Sequence, residues 1–166
     1  MYVDDPAAAL ALLTAQLAPR GLLSITFRNG AALAFRPGMR RQWQEAVDAF
    51  DALSYVNELG VRARAQRLED VRSSLSQLGL RVERWYGVRV FTEPASGDEP
   101  VNAREFSSLL RAEEQAGRRD PYRQLASQLH VIARSGERLE VVSGAASESA
   151  AVPASPVRNY RGQDGL

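Results

Sequence analysis

The fold predicted for this chain depends on the stretch PRGLLSITF at residues 19–27. Within it, Leu22–Phe27 is a short and nearly continuous apolar run, which is typical of a strand buried on both faces in a parallel sheet covered by helices. Upstream, Asp5 and Pro6 predict the start of a helix whose leucines at positions 10, 13 and 17 share one face. A helix, a tight turn and a buried strand make half of a βαβ unit, so an α/β fold is expected.

The rest of the chain continues this alternation of helical and strand patterns. A loop is predicted at residues 31–38, and a capping box at Asn102 and Glu105 predicts a helix that fades near Gly117. A short helix is expected after Pro121, and residues 139–166 are predicted to be a disordered tail because they offer little apolar surface. The other predicted elements are helices over Met39–Leu59 and Leu68–Leu78 and strands over Val82–Thr92 and Val131–Ala133.

The composition excludes several classes of function. The 166 residues contain 21 basic residues, all of them arginine, and 20 acidic residues, so the net charge of +1 exerts no strong pull toward nucleic acid or a membrane. The absence of cysteine excludes disulfides and thiolate metal sites, and a single histidine excludes a histidine-cluster zinc site. The absence of lysine excludes Schiff-base chemistry and a P-loop lysine.

The sequence also lacks recognisable targeting signals and nucleotide-binding motifs. The longest apolar runs are too short to span a bilayer, and the N-terminus lacks the basic region of a signal peptide, so no membrane partner and a cytoplasmic location are expected. The chain contains no G-x-G-x-x-G sequence and no equivalent glycine loop followed by a helix.

Several stretches resemble the class I S-adenosylmethionine-dependent methyltransferases. Residues 3–6, the helix that follows and residues 17–27 are similar to the segment through the fifth strand of that superfamily, where a Leu-Arg-Pro-Gly-Gly turn leads into an apolar strand. Three further stretches narrow the resemblance to the C-terminal half of the bacterial tRNA 5-carboxymethoxyuridine methyltransferases and their actinobacterial relatives, over about residues 2–135. They are Phe27–Gly30, Trp85–Phe91, and Asp120–Tyr122 together with Leu129–Arg134.

This resemblance implies the later half of a seven-stranded Rossmann-like sheet. The first strand here corresponds to strand five, and the other two correspond to the antiparallel pair at the sheet edge. Residues 1–138 would then be a partial methyltransferase domain with an acceptor-side insert at about residues 28–66. The family binds S-adenosylmethionine on its first four strands, to which no position here corresponds. Only Tyr2 matches a place where relatives often carry an aromatic residue beside the cofactor pocket, so we do not expect this chain to bind the cofactor alone.

The activity implied by the resemblance is methyl transfer to an oxygen or nitrogen of an acceptor, either a modified tRNA uridine or a small carboxylate. Two alternatives stay open: a non-catalytic, degenerate module that docks on a partner, and an unrelated small α/β binding domain. Because Leu22–Phe27 lacks a neighbouring strand on one side in the partial sheet, we expect self-association or partner binding through that edge.

Four residues are candidates for binding the acceptor substrate. Arg28 and Asn29 follow the carboxyl end of the first strand, where ligands bind in open α/β sheets, and an arginine fork there suits a carboxylate or phosphate. The alternative for Asn29 is turn chemistry with the glycine that follows it. Arg89 is expected in mid-strand, either facing the acceptor or on the wet face of an edge strand, and Tyr122 either reaches the acceptor or packs its ring.

Other prominent side chains receive structural interpretations. His130 is a possible general base, although a residue at a helix-to-strand junction is the simpler interpretation. Four aromatic residues fall at core-like spacings and are predicted to pack in the interior: Trp43, Phe50, Trp85 and Phe106.

Overall fold

The structure, a computed structural model, describes residues 5–57, 59–92 and 102–136, and every structural statement below refers to these residues. They form five helices, five strands and two 3₁₀ turns. In chain order these are α1 (Pro6–Ala15), β1 (Leu22–Arg28), a 3₁₀ turn (Gly30–Ala32), α2 (Phe35–Met39), α3 (Trp43–Ala49), β2 (Ser54–Val56), β3 (Arg62–Arg64), α4 (Leu68–Gln77), β4 (Leu80–Val88), α5 (Ala103–Arg118), a 3₁₀ turn (Tyr122–Leu125) and β5 (Gln128–Ser135).

The main sheet has three strands in the order β1-β5-β4, and β5 is antiparallel to both of its neighbours. A separate hairpin pairs β2 with β3. The expected mixture of helices and strands is confirmed, and β4 and β5 form the expected antiparallel pair. Since β1 and β4 each run opposite to β5, they point in the same direction, and their carboxyl ends lie at the same edge of the sheet.

The prediction of a first strand buried on both faces in a parallel sheet is wrong. In β1, Leu23 and Phe27 are buried, whereas Leu22, Ser24 and Thr26 are exposed. This alternation is the period of two that a strand shows when only one face of its sheet is covered. Ser24 and Thr26 lie on the uncovered face of the sheet. Leu22 lies on that face as well, so the sequence reads as a nearly continuous apolar run although one side of the strand is exposed.

The covered face of the sheet carries the hydrophobic core. Leu10 of α1 and three α4 residues pack in one cluster with the inward residues of β1 and β5, which include Leu129 and Val131. The opposite face bears Ser24, whose hydroxyl lies 2.7 Å from Nε2 of His130 on β5. Helices α1 and α4 therefore contribute to a single core on one side of the sheet.

Several helix ends follow their local sequence signals. The Asp5 carboxylate accepts hydrogen bonds from the N–H groups of Ala7 and Ala8 at 3.0 Å each, which caps α1 as predicted. Asn102 and Glu105 form the predicted capping box at the start of α5. Gly79 follows α4 with a φ of 75°, the left-handed conformation that ends many helices.

The insert does not contain the predicted loop and long helix. Residues 30–39 form a 3₁₀ turn and α2, and the predicted helix over Met39–Leu59 is interrupted after Ala49 by the β2–β3 hairpin. The hairpin turn keeps residues 57–61 out of a helix. The Asn57 side-chain oxygen accepts the N–H groups of Leu59 and Val61, and Gly60 adopts a φ of 74°. Such side-chain-to-backbone bonds compete with a helix.

An ion pair links the two strands of the β4–β5 pair. The Arg134 guanidinium donates to both Glu83 oxygens, at 2.5 and 3.3 Å, and also to the carbonyl of Arg20 at 2.8 Å. These hydrogen bonds hold the pKa of the Glu83 carboxyl below its ordinary value. A lowered pKa in the folded state means that the pair adds stability above the unfolded-state pKa.

We therefore expect this part of the stability to be complete at neutral pH and to be lost as the pH falls below about 4.3, the ordinary pKa of a glutamate carboxyl. Urea unfolding measured at several pH values would show a shallower acid dependence in Glu83→Gln than in the unmodified chain. Arg134→Met should remove the same pH-dependent part of the stability. The double variant with Glu83→Gln should show no further change in the acid dependence. An unchanged acid dependence in both single variants would contradict the assignment.

Candidate functional site

The carboxyl ends of β1 and β4 are joined through the start of β5. The N–H of Asn29 donates to the carbonyl of Ser127 at 3.0 Å, and the N–H of Ser127 donates to the carbonyl of Arg89 at 3.4 Å. The backbones of two predicted site residues, Asn29 and Arg89, thus reach the same edge of the sheet. In open α/β sheets this edge is where ligands bind.

A cavity of about 510 Å³ opens beside Arg28, between α2, α3 and the β2–β3 hairpin. Its wall carries three arginines and two carboxylates, which are Arg28, Arg36, Arg40, Glu45 and Asp48. Neutral polar and aromatic groups and several apolar side chains complete the lining; the polar and aromatic ones are Gln42, Ser54, Tyr55 and Asn57. The cavity therefore combines a surplus of positive charge with hydrogen-bonding groups, which suits an anionic or partly anionic ligand.

Arg28 is held in the cavity by its position at the end of β1 and by Tyr55. Its Cζ lies 4.9 Å from the centroid of the Tyr55 ring, which is a cation–π distance. Its carbonyl accepts the N–H of Gln66 at 3.0 Å, so the two ends of the insert meet at this point. A guanidinium stacked on a ring keeps its fork geometry, which matches a carboxylate or phosphate in two parallel hydrogen bonds.

Asn29 is 2% exposed and its amide is directed at backbone groups. Nδ2 donates to the carbonyls of Gln124 and Ala126 at 2.9 Å each, and Oδ1 accepts the N–H of Ala31 at 3.1 Å. Both amide hydrogens are therefore occupied, as the turn interpretation of this residue requires. The side chain joins the end of β1 to the turn before β5 and does not line the cavity.

The prediction that Arg89 lies in mid-strand is wrong. β4 ends at Val88, and Arg89 is exposed with a φ of 59°, in the left-handed region. The three N–H groups that follow, at residues 90–92, donate to the carboxylate of Glu113 at 2.8–3.0 Å. These bonds lead the chain away from β5 and toward α5, so the strand pairing ends one residue before Arg89.

Tyr122 begins the second 3₁₀ turn, and its ring is half exposed. It meets Phe91 edge to face, with 6.4 Å between the ring centroids. Neither Tyr122 nor Arg89 lines the Arg28 cavity. Of the four predicted acceptor-binding residues, the structure places only Arg28 in the cavity.

Sequence reasoning missed most of the cavity wall. Arg36, Arg40 and Tyr55 were not singled out, although all three fall in the insert assigned to the acceptor. For Arg36 and Arg40 the sequence signal of a binding site is weak, because arginine is the only basic residue type in this chain and is frequent throughout it. Only the folding of α2 against α3 and the hairpin brings them together.

Most of the aromatic residues assigned to the core lie elsewhere. Trp43, Phe50 and Phe106 are exposed, so this prediction is wrong for three of the four. Trp85 packs against the core cluster, and the Arg123 guanidinium lies 3.8 Å from its ring centroid. Arg123 is fixed there by Asp120, and this hydrogen-bonded arginine lowers the pKa of the Asp120 carboxyl.

His130 is the third residue of β5, so it does not lie at a helix-to-strand junction. Its bond to Ser24 places it on the uncovered face of the sheet, and it does not line the Arg28 cavity. Tyr2, the predicted cofactor contact, and the predicted tail at residues 139–166 lie outside the described residues.

The described part of the chain lacks two further kinds of feature. No helix there has both the length and the apolar composition needed to cross a bilayer. Nor do three or more His, Cys, Asp or Glu side chains come together there in a way that would hold a metal ion. No protein-family model matches the sequence, and no curated protein matches it at a significant level.

Proposed function

We propose that this chain is the acceptor-binding half of a methyltransferase domain, and that the Arg28 cavity binds an anionic methyl acceptor. The observation that carries the proposal is the cavity itself. It lies at the carboxyl end of β1 and presents Arg28, Arg36 and Arg40 to one space of about 510 Å³. A small carboxylate or the modified base of a tRNA uridine fits both its charge and its size.

The sheet topology supports this proposal. The resemblance to class I methyltransferases expects strand five to be followed in the chain by two strands that pair antiparallel with each other. Here β5, the last strand, pairs antiparallel with both β1 and β4. Helices α1 and α4, which precede β1 and β4 in the chain, contribute to the core on the same side of the sheet.

The residues of this chain do not fit S-adenosylmethionine. The sequence has no glycine-rich loop of the nucleotide-binding kind. The role we assign to this chain is therefore acceptor binding, and methyl transfer requires a second component that binds the cofactor.

The chemistry of such an acceptor needs little from the chain beyond position and charge. A carboxylate is already ionised at neutral pH, so no strong base has to remove a proton from it. Arg28 would hold the carboxylate through two hydrogen bonds, and Tyr55 would keep the guanidinium in place. His130 has no part in this arrangement, because it lies outside the cavity.

A second candidate function is a non-catalytic docking module. Among the described residues β1 pairs with a strand on one side only, apart from an isolated bridge between Asn29 and Gln66. Unpaired backbone groups at such an edge are a template for another strand. Titration with a carboxylate ligand separates the two candidates, because a docking module has no reason to bind a carboxylate in the Arg28 cavity.

We expect calorimetric titration to show binding of 5-carboxymethoxyuridine and much weaker binding of uridine, which lacks the carboxylate. Arg28→Gln should weaken binding by about tenfold or more, because it removes a charged bidentate contact worth about 1.5–3 kcal/mol. Arg84→Gln is the matched control, since Arg84 is exposed on β4 and does not line the cavity. Equal binding of the two nucleosides, or an equal loss in both variants, would refute the proposal.

A further inference from the structure

Helix α3 exposes its large apolar side chains. Trp43 and Val47 on the helix and Phe50, its C-terminal cap residue, are 65%, 64% and 69% exposed. Glu45 and Asp48, which line the Arg28 cavity, are exposed as well. Positions 43, 47 and 50 recur at the spacing of one helix face, so the three side chains form a continuous line. In a surface helix of a soluble protein this face ordinarily points to the core.

The exposed line ends with the helix. Arg41 before it has a φ of 59°, and Leu53 after it lies with Cδ2 3.4 Å from the position of a Cβ at Gly30. We call the three residues Trp43, Val47 and Phe50 the outer stripe. At about 150–250 Å² for each aromatic side chain, Trp43 and Phe50 together expose roughly 300 Å². The outer stripe is thus comparable in size with the largest apolar patch on a typical monomer, about 300–600 Å², and such a patch is often functional.

We propose that the outer stripe is the contact surface between two copies of this chain, packed with their α3 helices antiparallel about a twofold axis. In such a pair Val47 lies near the axis, and Trp43 of each copy packs against Phe50 of the other. The separation of Trp43 and Phe50 along the helix is about 10 Å at a rise of about 1.5 Å per residue, so both contacts form at once.

The charges at the two ends of α3 favour this antiparallel arrangement. Arg40 and Arg41 precede the helix, and Asp51 follows it. Arg41 and Asp51 are exposed, and neither forms an ion pair with another of the described residues. Antiparallel packing brings Arg41 of one copy beside Asp51 of the other, whereas parallel packing would bring like charges together.

The same charges argue against a nucleic acid or a lipid surface as the occupant. An aromatic platform for bases, or an amphipathic helix on an anionic membrane, is flanked by basic residues. Here the C-terminal end of the stripe is followed by Asp51, which repels phosphates. A surface that carries both signs at opposite ends is complementary to itself. The dimer does not depend on the proposed function, because the cavity lies on the other side of α3.

The test is the oligomeric state of the chain in solution. Sedimentation equilibrium over a wide concentration range is expected to show a monomer–dimer equilibrium in the micromolar to millimolar range, since the contact is small. Val47→Asp places a charge near the axis and should weaken dimerisation by at least about tenfold. Leu12→Asp is the matched control: Leu12 is 69% exposed like Phe50, but it lies on α1, and its variant should dimerise normally.

A charge exchange separates this dimer from association elsewhere on the chain. Arg41→Asp and Asp51→Arg should each weaken dimerisation, and the double variant should restore it, because the pair is re-formed with its signs reversed. A monomer at every concentration would overturn the proposal. So would association that Val47→Asp leaves unchanged, which would assign the contact to the edge of β1, and so would failure of the double variant to restore the dimer.

Discussion

Gly87→Ala is expected to lower the free energy of unfolding by about 3 kcal/mol, at the upper end of the usual cost of overpacking. A Cβ at this position would lie 2.7 Å from Cβ of Ala126, 2.8 Å from Cα of Arg123 and 2.9 Å from the carbonyl oxygen of Arg123. Two of these atoms belong to the backbone of the turn before β5, so no side-chain rotation can relieve the contact. The turn would have to move as a unit.

Gly87→Ala should also disturb the packing of helix α5. Helix α5 crosses β4 at this point, and Gly117 approaches the carbonyl oxygen of Gly87 so closely that a Cβ at Gly117 would collide with it. Moving the turn therefore also disturbs the helix. Urea unfolding followed by circular dichroism measures the loss.

Gly38→Ala is the control for this prediction. A Cβ at Gly38 would meet only Cβ of Ala46, at an ordinary 3.9 Å, and the residue lies within helix α2. Alanine is a better helix former than glycine, so this variant should be neutral or more stable by up to about 1 kcal/mol. Equal stability of Gly87→Ala and the unmodified chain would contradict the close packing of the turn before β5 against Gly87.

Asn29→Asp is expected to cost a similar amount, about 3 kcal/mol, although it changes the side chain by a single atom. The Asn29 amide donates to the carbonyls of Gln124 and Ala126 within a buried site. A carboxylate would turn its oxygens toward these two carbonyl oxygens. It would both lose two hydrogen bonds and leave a buried charge without a donor on that side.

The same chemical change at an exposed amide gives the comparison. Nε2 of Gln44 donates to the Asp48 carboxylate at 3.0 Å on the surface of α3. Gln44→Glu should change the stability by less than about 0.5 kcal/mol, because water replaces the lost bond and the new repulsion from Asp48 is screened at the surface. If Asn29→Asp instead kept its stability and lost only the binding of 5-carboxymethoxyuridine, the acceptor-binding role of Asn29 would be favoured over its role in the turn.

Elements whose signals lie within one or two turns of chain were predictable from the sequence. The cap at Asp5, the capping box at Asn102, helix α4 and the glycine that ends it all appear where the residues indicate. Each depends on hydrogen bonds between neighbours in the chain. Gly87 also has a local signal, because a glycine within an aromatic and β-branched strand commonly marks a bulge or a close contact with another backbone.

Elements that depend on distant partners were not predictable in the same way. The pairing of β1 with β5 joins residues a hundred or more positions apart, and it made the sheet antiparallel where an apolar run had indicated a parallel one. Strand β4 ends before Arg89 because Glu113, on helix α5, binds the three N–H groups that follow Arg89. No local pattern around residue 89 contains that carboxylate.

The insert at about residues 28–66 shows most clearly which features the local sequence decides and which depend on distant partners. The sequence alone determined that Trp43, Val47 and Phe50 share one face of a helix, because that follows from the 3.6-residue period. Which way the face points was decided by the tertiary structure. The packing of α2 and the β2–β3 hairpin placed the side of α3 that carries Glu45 and Asp48 at the Arg28 cavity and left the apolar side at the surface. Periodicity specifies a face, but only the positions of the neighbouring elements determine what that face meets.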